Sequence, residues 1–248
     1  MKNLSFPLFG IVIFLFSSFA SDLRAQYGRS GWRPQDAFDL VVGGDFGFHL
    51  ISGNTADEAA AALISNRQGY ENNKLNYRLG FNYYLGLSPS LAIKAGARYA
   101  NPGFTTSPVE SFDPAQDINT VVKEFEPFGS EYRYEYQMFE FPLGVKYTLI
   151  NSICEPYFEA GISPAIYWRT LVQQRSYEGG TSVTEIQEPM NRLNFIGFLS
   201  VGGNLNLTQS LSGFTQLIGR YQLNSLRKGP VQERVLGLGL EMGLRYYL

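Results

Sequence analysis

Along most of the chain, large apolar residues stand at every second position, with small, polar or charged residues between them. The stretch Leu236 to Leu248 shows it most plainly. Leu236, Leu238, Leu240, Met242, Leu244, Tyr246 and Leu248 alternate with Gly237, Gly239, Glu241, Gly243, Arg245 and Tyr247. A period of two places successive side chains on opposite faces of a β-strand. Eight stretches carry the pattern: 39–50, 74–87, 91–101, 132–149, 156–170, 192–207, 211–224 and 236–248. Their apolar faces include Leu40, Val42 and Phe46 in the first and Leu75, Tyr77, Leu79, Phe81 and Tyr83 in the second. Phe139, Phe141, Leu143, Val145 and Tyr147 mark the fourth, where Pro142 cannot donate a ladder bond and predicts a bulge or break.

The connections alternate in length. "SPS", "INSICE" and "TQS" are tight; 51–73, 102–131 and 171–191 are long, and 225–233 is intermediate. An even number of strands with short turns at one end and longer loops at the other is the layout of a bacterial outer-membrane barrel. Alternation alone fits a soluble lipocalin-type barrel equally well, with the charges outward. Three features favour the membrane. Several strands reach the roughly 9–11 residues that cross a bilayer. Aromatics stand at both ends of the apolar face, with Tyr83, Tyr147 and Tyr246 near the tight turns and Tyr99, Trp168 and Tyr221 near the long loops. The third is the start of the chain. There Lys2, the apolar run "FPLFGIVIFLF" and the small residues that follow have the form of a secretory signal, too short to span a bilayer as a helix. Cleavage is expected after Ala20 or Ala25, with Ala25 preferred. The expected organisation is a signal peptide over 1–25, a periplasmic segment over 26–38 and an eight-stranded antiparallel transmembrane β-barrel over 39–248, all-β. In a closed barrel the last strand pairs with the first. A terminal strand ending in aromatics is also what barrel-assembly machinery recognises during insertion; here Leu248 follows Tyr246 and Tyr247.

Composition narrows the chemistry. A net charge of −2 points away from nucleic acid. One cysteine, Cys154, allows no internal disulfide, and one histidine, His49, excludes a His-pair metal site. No cofactor or metal is expected. The positions between the apolar ones carry Arg78, Lys94, Arg98, Glu140, Lys146, Glu159, Arg169, Arg220, Glu241 and Arg245. If the apolar face meets lipid, these point into a lumen just wide enough to be filled by side chains. Buried charges must pair, so Glu140, Glu159 and Glu241 are expected to meet the lysines and arginines in a plugged, ionic interior. The alternative is a narrow polar pore. Gly80, Gly96, Gly144, Gly161, Gly202 and Gly243 share the inward set and would give the long side chains room.

A lipid-modifying hydrolase needs a nucleophile beside a base. His49 with Ser52 is the one pairing the sequence offers, against a solvated histidine at the rim. No catalytic residue is assigned, and no enzyme activity is expected. "TADEAAAALISNR" has capping-box spacing between Thr55 and Glu58 and predicts a short helix, read as a lid over the mouth or a docking element. Phe104, Phe112, Phe125 and Phe128 are taken as exposed in the second long loop, and the third is expected to form a hairpin turning at Gly179–Gly180.

"FEFPLGVKYTL" followed by "EPYFEAGISPAIYW" resembles the PorT-like outer-membrane β-barrel family of Bacteroidetes-type bacteria, a group of porin-family proteins. Phe139, Glu140, Phe141, Pro142, Lys146, Tyr147, Pro156, Tyr157 and Gly161 carry the resemblance. It implies an outer-membrane barrel and, for some members, accessory work in protein export. The resulting expectation is a non-enzymatic barrel in a structural or accessory role. Its partners would be outer-membrane lipid, the assembly machinery and an envelope protein reached through its loops. A small-solute channel is the alternative.

Overall fold

The computed structural model describes residues 36–53, 61, 64, 65, 67, 69–108, 130–149, 154–176, 180–186, 190–208, 210–228 and 231–248. Eleven strands occupy most of them: β1 (Ala37–Gly53), β2 (Glu71–Gly86), β3 (Leu91–Ala100), β4 (Gly103–Thr106), β5 (Ser130–Glu140), β6 (Leu143–Thr148), β7 (Cys154–Ser176), β8 (Thr181–Ile186), β9 (Leu193–Asn206), β10 (Leu211–Gln222) and β11 (Val231–Tyr247). Every pairing is antiparallel. β1 pairs with β2, β2 with β3 and β4, these with β5 and β6, and β5 and β6 with β7. β7 continues to β9, β10 and β11, and β11 returns to β1 from Ala37↔Tyr247 to Gly53↔Val231. The sheet therefore closes into a ring in which both terminal strands have a neighbour on each side, with β8 paired only to β7.

The count is eleven where the alternation predicted eight. The difference has local causes. Beyond β3 the chain breaks at Asn101–Pro102 and resumes as β4. β2 pairs with β3 through Arg78–Gly86 and with β4 through Glu71–Asn73. The fourth candidate breaks at Phe141–Pro142 into β5 and β6, as the missing N–H of Pro142 requires. There Phe141 N–H donates to Pro164 O at 2.8 Å and Pro142 O accepts from Gly96 at 3.0 Å. β8 is the returning arm of the third-loop hairpin, paired with the far end of β7.

The two faces divide as the alternation implies. Leu40, Val42 and Phe46, with Leu79, Phe81, Leu199, Leu217, Leu240 and Met242, form an exposed apolar belt on the outside. The intervening residues point inward and are buried. One place departs from strict alternation. Between β5 and β7 the register slips, Gln137 facing Arg169 and Met138 facing Tyr167, so Trp168 is an extra residue. Below this bulge Ser163 and Ala165 are buried; above it Thr170 and Val172 are. A single inserted residue swaps the faces. Arg169, expected inside, is therefore on the outside, bonded to Gln137 at 2.8 Å and paired with Glu185 at 3.1 Å.

Strands of 17 and 23 residues, β1 and β7, rise about 55 to 75 Å along their length, well beyond a belt about 25 Å tall. The excess lies at the long-loop end. The turn end closes tightly. In "SPS" the Leu87 N–H bonds Leu91 O at 2.8 Å, and in "TQS" the Leu207 N–H bonds Leu211 O at 2.9 Å.

Candidate functional site

Half of each strand's side chains must share the narrow interior of the ring, and they do so in layers. Nearest the turn end, Arg245 donates two 2.7 Å bonds to the Asp39 carboxylate. Lys94 meets Glu159 at 2.5 Å, and the Tyr84 hydroxyl donates to the same carboxylate at 2.8 Å. Lys146 stands across the strand pair from Glu159 and lies 3.8 Å from the centre of the Tyr157 ring. The next layer centres on Glu241, which accepts from Arg98 at 2.7 Å and from Gln216 at 2.6 Å. Above it Arg220 pairs with Glu140, and Arg78 bridges Asp45 and Glu140, the latter at 3.6 Å.

Nine of the ten charged residues expected in the lumen are there: Arg78, Lys94, Arg98, Glu140, Lys146, Glu159, Arg220, Glu241 and Arg245, none more than 5% exposed; Arg169 is outside. Such burial costs several kcal/mol per ion unless each is paired and hydrogen-bonded, about what the pairing here must offset. Two carboxylates in the network, Asp39 and Asp45, were not anticipated. Their signal was available: both fall on the inward phase of β1, opposite Leu40, Val42 and Phe46. Inward glycines supply clearance. A Cβ on Gly202 would lie 2.5 Å from Thr215 O and 2.6 Å from Gln216 Cβ, and one on Gly144 would lie 2.6 Å from Ala160 O.

Above the ions the filling changes character. Phe104, Tyr134, Tyr136, Met138, Ile196 and Leu226 are buried together in an apolar layer. Phe104 was expected to be exposed in a loop. It is instead 0% exposed, because β4 continues the wall and turns this ring inward. It stacks on Tyr134 at 4.7 Å and on His49 at 4.9 Å. Phe112, Phe125 and Phe128 lie outside the described residues.

The outermost layer was not legible as a cluster. His49 Nδ1 meets Glu71 at 2.5 Å, and its Nε2 is 3.5 Å from Glu233. Arg67 meets Glu71 at 2.5 Å and pairs with Glu233, which also faces Arg227 at 3.4 Å. The rim histidine is thus buried and ion-paired rather than solvated. This layer stands past the loop-end aromatics: Tyr221 pairs with Leu236 and Leu236 with Phe48, the residue before His49. Burial alone would pull His49 down, but the Glu71 carboxylate and Glu233 outweigh it and hold the imidazolium up to about 9. Burial raises Glu233, and the imidazolium of His49 at 3.5 Å and the charge of Arg67 outweigh that, leaving its carboxyl well below the usual range. Arg67 comes from the predicted helix. Residues 61, 64, 65, 67, 69 and 70 are helical, while Thr55 and Glu58 lie outside the described residues. Ile64 packs on Ile51 and Val231. Among the described residues, Ile64 and Arg67 hold the helix to the wall.

His49 and Ser52 do not form a hydrolytic pair. Ser52 is exposed while His49 is buried and committed to carboxylates. Among the described residues no group of three or more His, Cys, Asp or Glu could hold a metal ion.

No curated protein matches the chain in sequence. Several solved structures are similar to it. The outer membrane protein OprG from Pseudomonas aeruginosa is 10% identical, with 87% of this chain and 96% of that one covered and a TM-score of 0.48. The outer membrane protease OmpT from Escherichia coli is 10% identical over 86% and 97%, with a TM-score of 0.45. A major outer membrane protein from Thermus thermophilus is 14% identical over 86% and 99%, with a TM-score of 0.43. The model of one family, described as an outer membrane protein beta-barrel domain, matches residues 25–229. Closed antiparallel ring, apolar exterior and charged interior agree with that match: the chain belongs to the outer membrane beta-barrel domain family, and its place is the outer membrane.

Proposed function

We propose that this protein is a non-enzymatic barrel of eight wall positions, with β3 and β4 sharing one and β5 and β6 another. Its lumen is closed by its own side chains, and it serves a structural or accessory role in the envelope. The long-loop end faces outward, and its loops meet a partner protein. The observation that carries this reading is the layered filling. Five carboxylates, Asp39, Asp45, Glu140, Glu159 and Glu241, are tied to lumen cations, and an apolar layer containing Phe104, Tyr136 and Met138 lies over them. A conducting channel needs a hydrated path, and a hydrolase needs an accessible nucleophile with a free base. The PorT-like resemblance around Phe139–Tyr147 and Pro156–Gly161 supports accessory work in protein export.

Two measurements test it together. In planar bilayers the purified barrel is expected to give no stepwise conductance; regular steps that change in Glu140→Ala would replace the accessory role with a channel. Crosslinking in intact envelopes, from positions in the long loops, is expected to enrich components of the export machinery. Recovery of the barrel alone, where a known envelope complex is captured in parallel, would remove the export role.

A further inference from the structure

The wall has a defect at the upper edge of the apolar belt. β2 pairs with β4 up to Asn73 and with β3 from Arg78, so Lys74 to Tyr77 face neither strand. Asn101 fills part of the gap. Its side chain accepts from Tyr77 N–H at 2.8 Å, and its carbonyl accepts from Lys74 at 2.7 Å. Beside it opens a pocket of about 350 Å³ whose lining includes Asn73, Lys74, Asn76, Thr105 and Arg133. Two cations converge there on one carboxylate, Glu135, which is 2.9 Å from Arg133 and 3.8 Å from Lys74. Arg133 is 41% exposed in its side chain, while Lys74 is 2% exposed.

A second hollow joins this pocket from below. Gly44 leaves a depression of about 640 Å³ in the apolar exterior, edged by Val42, Phe46, Leu75, Leu240 and Met242. Gly44 and Leu75 border both hollows. Leu75 is the last large apolar residue on the outside of β2; Asn73 and Asn72 follow it toward the loop. The joined hollows therefore run from the hydrocarbon zone into the headgroup zone, greasy below and positive above.

We propose that this junction holds a phosphate-headed lipid of the outer leaflet. The phosphate sits between Lys74 and Arg133, and one acyl chain lies over Gly44. The assignment rests on the membrane orientation proposed above. Its chemistry is that of an amphiphile: among the described residues two cations share the one carboxylate Glu135, which calls for an anion, and the hollow beneath calls for a hydrocarbon chain rather than a free ion.

The test compares two lipids with the same chains, dioleoyl phosphatidic acid and dioleoylglycerol, added to the purified full-length barrel in neutral detergent and read by native mass spectrometry. Phosphatidic acid is expected to be retained on the order of tenfold more than the diacylglycerol, and Arg133→Gln to reduce its retention about fivefold. Gly44→Leu is expected to lower retention of both lipids roughly fivefold. A Cβ there would meet only Asn76 O at 3.5 Å and Leu75 Cδ1 at 3.8 Å, ordinary contact distances that leave room for a side chain, and an unchanged heat-modifiable band checks that the variant folds. Lys74 also holds the Asn101 carbonyl, so Arg133 and Gly44 carry the test. Equal retention of the two lipids, or indifference to Arg133→Gln, overturns the site. Displacement of the lipid by millimolar inorganic phosphate, with no effect of Gly44→Leu, would assign the pocket to a free anion instead. Cleavage of the long loops by a protease added to intact cells is the separate check on that orientation, and its failure would be distinguishable from failure of the lipid site.

Discussion

Two groups depend on Glu159, Lys94 and the Tyr84 hydroxyl, while Lys146 stands opposite it across the strand pair. Glu159→Ala leaves Lys94 buried without its carboxylate and is expected to cost about 3–5 kcal/mol. The temperature at which the folded band is lost on a semi-native gel reads this directly; an unchanged value would mean that water, not Glu159, compensates Lys94. Lys146 makes the contrast. It lies against aromatic rings, and Glu159 keeps Lys94 and Tyr84 without it, so Lys146→Met is expected to cost no more than about 1 kcal/mol in the same assay. At this scale the sequence was informative about which residues go inside, because alternation assigns faces. It was silent on which charge meets which. Partners such as Arg98 and Glu241, 143 positions apart, are brought together by ring closure and not by any local spacing. It also hid Asp39 and Asp45, which look like ordinary surface acids until the strand's phase is taken seriously.

Among the elements, the mouth helix and the bulge in β7 set the limits of legibility. Capping-box spacing and the alanine run signalled the helix, but its attachment through Arg67 to Glu71 and Glu233 needed the fold. That attachment titrates. His49 is charged in the folded protein up to about pH 9, against an ordinary value of 6.5. A folded value raised in this way gives stability that is complete below pH 6.5 and lost as pH rises through 9. The groups facing His49 are Glu71 of β2, Glu233 of β11, Arg67 of the helix and the Phe104 ring of β4. Hydrogen exchange of residues 61–70 is therefore expected to accelerate between pH 6.5 and 9 beyond the intrinsic chemical rate, by up to about tenfold per pH unit. His49→Gln should flatten that profile; an identical profile in the variant would place the titration elsewhere. The bulge was invisible for a different reason. One extra residue at Trp168 reverses the faces of everything beyond it, and both phases of that stretch, "YWRTLVQQ", carry mixed polarity.

At the scale of the molecule, the described strands form one closed wall. Its strand count rose from eight to eleven because prolines at 102 and 142 interrupt two wall positions and a hairpin extends a third. The alternation pattern sees wall positions, not interruptions. Closure depends on the last strand: deleting residues 236–248 would strip β1 of its partner from Ala37 to Phe48. The truncated chain is expected to fail heat-modifiability and to remain protease-sensitive in liposomes, and a compact, protected truncation would disprove the need for that seam.

The seam has a kinetic side as well. Its pairing begins between positions 37 and 247, so the first and last strands of the wall must meet before the ring is complete. Loop-closure entropy opposes that meeting, and high contact order slows it. Every other strand finds a neighbour close along the chain, so the two ends come together late. Until then two long strand edges stand open, each able to template a wrong neighbour. The joining of β1 to β11 is thus the expected slow step of maturation, and a helper that shielded those edges would act on it.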